Sequence, residues 1–175
     1  VIKATSIDPS VIDAENVYHH RGTVRVFTSE QSAIQAIKGH TDRPVRPGDV
    51  LAVIGIGPAG TGMEEIYQVT SALKFVPWGK QVSVITDGRF SGVSTGACIG
   101  HIGPEALAGG PIGKLRDGDL VEIRIDRQSL EGSVNFVGVG DNTLTPIEAD
   151  ALLSSRTPHP DLHAHSRLPD DTLLW

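Results

Sequence analysis

At 175 residues, 39% of them hydrophobic and 21% charged, the chain is long enough for one well-cored domain and short for two. A formal charge of −6, a pI near 5.6 and the absence of any Lys or Arg run exclude the basic footprint of a nucleic-acid partner. One cysteine excludes an internal disulfide framework or a cysteine-held cluster, and no apolar run reaches the roughly 18 residues a membrane helix needs.

A soluble protein of a reducing cytoplasm is therefore expected, with no membrane partner and no export signal. The chain opens on Val1 inside a strand-like VIKATSID pattern and closes on Leu173, Leu174 and Trp175, which reads as a piece of a longer chain. Residues 23–27 (TVRVF) alternate and are β-branched, as a half-buried strand requires. Thr28 offers an N-cap, with Gln31 completing a capping box, and Ala33, Ile34, Ala36 and Ile37 make an apolar face that ends at Gly39. Arg46-Pro47-Gly48-Asp49 is a turn launching a strand at 50–54, and Arg116-Asp117-Gly118-Asp119 launches one at 120–125 by the same device.

Between these turns the pattern predicts a helix over about 63–75 and a strand at 82–86, with Trp78 packing before it, then a glycine-dense stretch from 88 to 113. A further strand is read at 133–139. Thr145 caps a last helix, with Pro146 at its first position and Glu148 completing a capping box. Beyond Ser155 the composition turns polar and proline-rich, so the expected division is a domain at 1–150 and a tail at 151–175. His159, His163 and His165 have a spacing a metal could bridge, but they are read as part of a solvated, flexible tail. Helices mixed with short strands and glycine turns predict a β-rich α/β fold, a barrel or sandwich with flanking helices.

The run LAVIGIGPAGTGMEE spells G-x-G-x-x-G with Gly55, Gly57 and Gly60 after a strand. A dinucleotide site also needs a helix packed tightly after the third glycine and an acid about 20 positions on. Here Thr61 and Gly62 follow Gly60, and the next strand-end acid, Asp87, lies 27 positions past it (87 minus 60) and opens another glycine loop. The residues alone leave three readings: a dinucleotide site, a wide turn, or a loop bringing backbone up to a charged site.

Ser91 follows a strand and Gly88, where a turn exposes its oxygen among outward-pointing backbone N–H groups. It is either a turn serine or a nucleophile or base, and as a base it needs a nearby cation to lower its pKa. Asp87 and Arg89 either orient this turn or pair with each other or the rim. Ser94 and Thr95 either bond a sugar hydroxyl or their own backbone. His101 either donates into the site or caps a helix at 104–108, and Cys98 is read as a buried structural thiol.

The stretch TDGRFSGVSTGACIGHIGPEALAGGPIG closely resembles the C-terminal domain of the dihydroxy-acid dehydratase and 6-phosphogluconate dehydratase family. Members carry TDGRFSG, then a glycine and C-I-G-H, then P-E-A and G-G-P-I, in this order. The upstream GPAGTGMEE resembles the family's GPxGGPGMxE segment, and the 26 positions from Glu65 to Ser91 (91 minus 65) are the family's spacing. The resemblance covers about residues 1–126 and is strongest to the branch acting on sugar acids such as D-xylonate. Where many members have GGTRG after the serine, this chain has Gly92-Val93-Ser94-Thr95-Gly96, a departure on the side of the substrate away from the carboxylate.

The resemblance implies a swivelling β/β/α barrel-like domain, inactive alone, that completes a dehydratase active site with its own N-terminal domain. It implies that Ser91 is the base at carbon 2 of a 2,3-dihydroxy acid and that Glu65 is a magnesium ligand, with Glu64 a solvated neighbour. It further implies an iron–sulfur cluster bound by the N-terminal domain, which takes the carbon-3 hydroxyl, and a dimer or tetramer. Substrate contacts fall to Ser94, Thr95 and His101. Against this stand a non-catalytic carboxylate-binding or docking module and the dinucleotide-binding domain.

Overall fold

In the computed structural model, which describes residues 1–168, one strand joins two kinds of sheet. Among the described residues the strands are β1 (Val17–Phe27), β2 (Val50–Val53), β3 (Ser83–Thr86), β4 (Ala97–Ile99), β5 (Asp119–Asp126), β6 (Glu131–Val139) and β7 (Asn142–Thr143). They pair in the order β4-β3-β2-β1-β5-β6-β7. Residues 17–23 of β1 run antiparallel to β5, and residues 24–27 run parallel to β2, so β1 starts in one ladder and finishes in the other. β2, β3 and β4 are parallel, while β5, β6 and β7 form an antiparallel meander.

Side chains alternate across this sheet and feed two cores. Val50 and Ala52 join Val121, Ile123 and Ile125 on one face. Leu51 and Val53 face the other way, toward Ile34 of α1 (Glu30–Ile37) and Val69 of α3 (Tyr67–Lys74). β2 and β3 are buried at every position, as expected of parallel strands covered on both faces.

The β-rich α/β reading holds, with one correction: the sheet is open. β4 has three residues and β7 two, too short for either edge to close a ladder, and among the described residues no pairing joins them. The outer edge of β4 instead receives the chain start, where Ile2 bridges Ile99.

The two x-Gly-Asp turns are one device used twice. In each, the aspartate accepts the arginine N–H at 2.8 Å, and Gly48 and Gly118 take φ of 88° and 90°. Thr145 and Glu148 make the full capping box of α4 (Pro146–Ser155). At α1 the cap is Ser29, not Thr28: its extended backbone sets the hydroxyl over the Ser32 N–H, and Glu30 in the first turn accepts the Val69 N–H at 3.0 Å. The helix expected over 63–75 starts only at Tyr67, because Met63 is left-handed at φ 69° and Glu65 is drawn into pairing with Arg89.

The segment after α4 is not free in solvent up to residue 168. Arg156 forks onto Asp119, 1% exposed, with Nη2–Oδ1 at 2.9 Å, and lies over the Phe136 ring. His159 N–H then bonds the Gly113 carbonyl and His165 N–H the Gly60 carbonyl, each at 2.7 Å, with Leu162 against the core. His159 is half-buried in this strap, while His163 and His165 are exposed. Residues 169–175, with Leu173, Leu174 and Trp175, lie outside the described residues.

Candidate active site

The carboxyl ends of β2, β3 and β4 deliver three glycine loops to one edge of the sheet, which is where open parallel sheets bind ligands. Asp87, 2% exposed at the end of β3, ties them together. Its Oδ1 accepts the Ile56 N–H at 3.0 Å, and its Oδ2 accepts the N–H groups of Gly55 at 3.2 Å and Ala106 at 2.9 Å. It does not pair with Arg89. A buried carboxylate is tolerated here because three backbone donors replace its water.

Arg89, two residues on, reaches back to the upstream loop. Its Nη1 stands 3.6 Å from Glu65 Oε2, its Nε donates to the Met63 carbonyl at 3.0 Å, and its own carbonyl accepts the Ile66 N–H at 3.0 Å. Glu65 is thereby fixed beside the loop that carries Ser91, with its side chain about a third exposed at 34%. Glu64 is exposed. Burial pushes the Glu30 carboxyl up; hydrogen bonds from Val69 and Gln68 oppose this, and the negative charges of Glu64 and Glu65 add to it.

Ser91 is half-buried in a tight turn. Its Oγ accepts the Val93 N–H at 3.3 Å and its carbonyl accepts the Ser94 N–H at 3.1 Å. Ser94 lies beneath the turn, 1% exposed, and its hydroxyl has no partner among the described residues. Thr95 is half-buried and lines a cleft of about 660 Å³ with Thr5, Ser6, Thr70 and Lys74; Ser91, Glu65 and His101 do not line this cleft. His101 is exposed, left-handed at φ 54°, and bonded through its N–H to the Gly88 carbonyl at 2.8 Å. It does not cap the helical turn Ala106–Ala108 that follows, whose N-cap residue is Glu105. Glu65 and Ser91 are thus brought onto neighbouring loops, and Ser94 and Thr95 turn away into the body of the domain.

Two residues escaped the sequence reading. Glu105 accepts the Ala59 N–H with both oxygens, at 3.2 and 3.0 Å, at the start of the short helix α2 (Pro58–Thr61). That is the place a pyrophosphate takes in a dinucleotide fold, so the glycine pattern is already served by a carboxylate of the chain itself. Gly60 is needed because a Cβ there would collide with the Gly55 carbonyl. The P-E-A block was the available signal for Glu105. Lys3 is the second: its ammonium donates to the carbonyls of Gly92 and, at 2.7 Å, Ser94.

Cys98 is buried in β4, and burial pushes its thiol up to about 12; it donates to the Thr95 carbonyl and is unsuited to ligate a cluster as thiolate. Among the described residues no three His, Cys, Asp or Glu side chains gather as a metal site. Glu65, its side chain about a third exposed at 34%, offers one carboxylate, and magnesium takes one or two carboxylates and keeps waters.

Glycine loops gather at the carboxyl edge of the parallel strands, where Arg89 of the Ser91 loop pairs with Glu65 of the loop before it, and this is the edge at which open α/β folds place ligands. The chain belongs to the dihydroxy-acid/6-phosphogluconate dehydratase family, as its C-terminal domain, and the family model matches residues 1–145. It is 65% identical over 175 residues, all of the chain and 26% of the relative, to D-xylonate dehydratase YagF of Escherichia coli. It is 59% identical to D-xylonate dehydratase YjhG of the same organism, again over 100% of the chain and 27% of the relative. With a dihydroxy-acid dehydratase of Halothermothrix orenii it shares 44% identity over 70% of the chain and 22% of the relative. The chain spans about a quarter of the length of these curated relatives. Among the described residues no helix is long and apolar enough to cross a membrane.

Proposed function

We propose that this domain supplies the serine-bearing half of the active site of a hydro-lyase that removes water from a 2,3-dihydroxy sugar acid such as D-xylonate and releases a 2-keto-3-deoxy acid. The observation that carries this reading is the joining of Glu65 to the Ser91 loop through Arg89. Identity over the whole chain with two D-xylonate dehydratases supports the substrate class.

In this reading Ser91 Oγ, as the alkoxide after losing its own proton to solvent, takes the proton from carbon 2 as the hydroxide departs from carbon 3, and that hydroxide then takes the proton from Ser91, so that one water is lost and the alkoxide is restored. The resulting enol carries its remaining hydroxyl on carbon 2 and tautomerises to the ketone. The Val93 N–H, already on Ser91 Oγ, steadies the negative charge on that oxygen before proton transfer. Glu65 would hold magnesium, and Arg89 keeps its carboxylate turned toward the loop. When bound, magnesium supplies positive charge for the substrate carboxylate, and an iron–sulfur cluster, ligated outside this chain, supplies a Lewis acid for the departing hydroxide. His101, exposed on the loop after β4, is the proposed contact along the sugar chain; Ser94, buried, and Thr95, in a separate cleft, face away from it. The domain works with its own N-terminal domain, in a cytoplasmic dimer or tetramer, and is inactive alone.

A screen of aldonic acids on the full-length protein, with detection of the keto acid, tests this reading. Turnover of D-xylonate or a close pentonate is expected. Absence of keto acid from every aldonic acid, in protein with its cluster and magnesium present, would leave a non-catalytic carboxylate-binding or docking module.

A further inference from the structure

The chain start is stitched to the loop that carries Ser91. Ile2 bridges Ile99, Lys3 N–H bonds the Cys98 carbonyl at 3.4 Å, and the Gly100 N–H bonds the Val1 carbonyl at 2.9 Å, so residues 1–3 lie along the outer edge of β4. This register sends the Lys3 side chain toward the segment just before β4, where its ammonium meets the carbonyls of Gly92 and Ser94. A second suture follows at Ser6, whose Oγ donates to the Gly96 carbonyl at 2.8 Å and whose own carbonyl accepts the Gly96 N–H at 3.0 Å.

The Gly92 carbonyl and the Val93 N–H belong to one planar trans peptide group and point in opposite directions. Lys3 holds the carbonyl end of that plane, and Ser91 Oγ accepts from its N–H end at 3.3 Å. Fixing one end fixes the other. An ammonium on the carbonyl oxygen also polarises the group and makes its N–H a better donor. We propose that Lys3 is a positioning residue of the reaction centre, which acts through the Gly92–Val93 peptide plane to aim and strengthen the Val93 N–H on the Ser91 hydroxyl. The role rests on the reading of Ser91 as the base.

The other charged and titratable groups near this turn are otherwise engaged. Arg89 is paired with Glu65, Asp87 is saturated by backbone donors, and the Cys98 thiol is kept neutral by burial. Nothing in the sequence links Lys3 to Ser94, 91 positions away, so only the fold reveals the contact.

The test uses the full-length protein with D-xylonate as probe, comparing Lys3→Met and Lys3→Arg with Ser91→Ala, and following hydrogen exchange of a peptide spanning residues 91–97. In Lys3→Met, kcat is expected to fall about tenfold or more while KM stays within about twofold, because the lost interaction matters in the transition state. Exchange at the Val93 amide is expected to rise, and Lys3→Arg, which keeps a cationic donor, recovers most of kcat. Should Lys3→Met not fold, Lys3→Gln replaces it and is held to the same expectations. Near wild-type kcat in Lys3→Met, an unchanged Val93 amide, or a loss that arginine does not repair would overturn the role of Lys3. Ser91→Ala separates the two ideas: if it retains turnover, the reading of Ser91 fails, whereas an inactive Ser91→Ala beside a fully active Lys3→Met defeats only the positioning role.

Discussion

Glu65 and Arg89 pair backbone to backbone as a one-residue parallel bridge and side chain to side chain at 3.6 Å, and this contact joins the GPAGTGMEE loop to the loop of Ser91. It costs the first turn of the helix that periodicity predicts. Residues 63–66 would continue α3 toward its N-terminus, but the chain pairs Glu65 with Arg89 instead.

Glu65→Gln keeps an oxygen for Arg89 and removes the charge that a magnesium ligand needs. In the full-length protein this variant should require about tenfold more magnesium for half-maximal turnover, with the loop still joined. A magnesium titration that overlays the wild-type curve would argue against Glu65 as a ligand.

Asp87 is the hub of the three loops, and its replacement should register as stability before anything else. Asp87→Ala leaves the N–H groups of Gly55, Ile56 and Ala106 buried without an acceptor. A loss of about 2–4 kcal/mol is expected, seen as a lower Tm of the full-length protein and faster exchange at those amides. An unchanged Tm with unchanged exchange would show that the hub is dispensable.

How much of this was legible beforehand depended on the range of the signal. β2, β3, β5 and α4 announce themselves through local alternation, turns and a capping box, and they fall within about two residues of where those patterns put them. The first half of β1, residues 17–22 (VYHHRG), reads as polar and is a strand only because β5 lies beside it. β4 is three residues among glycines, shorter than any periodicity can register. Ser91 and Glu65 were singled out by the spelling of two motifs, and the folded chain sets them on neighbouring loops. Glu105 and Lys3 act across 46 and 91 positions, on Ala59 and Ser94, and no local pattern marks such contacts.

A pH dependence follows from the strand junction. His20 bonds the Gly48 carbonyl through Nε2 at 3.0 Å, so that nitrogen carries the proton, and Nδ1 accepts from Ser83 Oγ, which in turn accepts the Tyr18 hydroxyl at 2.7 Å. Burial holds the His20 pKa below its ordinary value, the bond to Gly48 opposing it. A histidine lowered in the folded state contributes stability that is complete above its unfolded pKa of about 6.5 and is lost as pH falls through the folded value. The Tm of the wild type should therefore fall as pH drops below about 6.5, more steeply than that of His20→Gln. Parallel Tm curves for the two proteins would remove His20 as the cause.

The account turns on Ser91, and the most direct measurement is the turnover of D-xylonate by full-length Ser91→Ala, with keto acid as product and the cluster absorption recorded in the same sample. Loss of a proton-transfer group predicts a fall in kcat of about a thousandfold with the cluster spectrum intact. Turnover within a few-fold of wild type, with the same intact spectrum, would contradict Ser91 as the group that takes the proton from carbon 2.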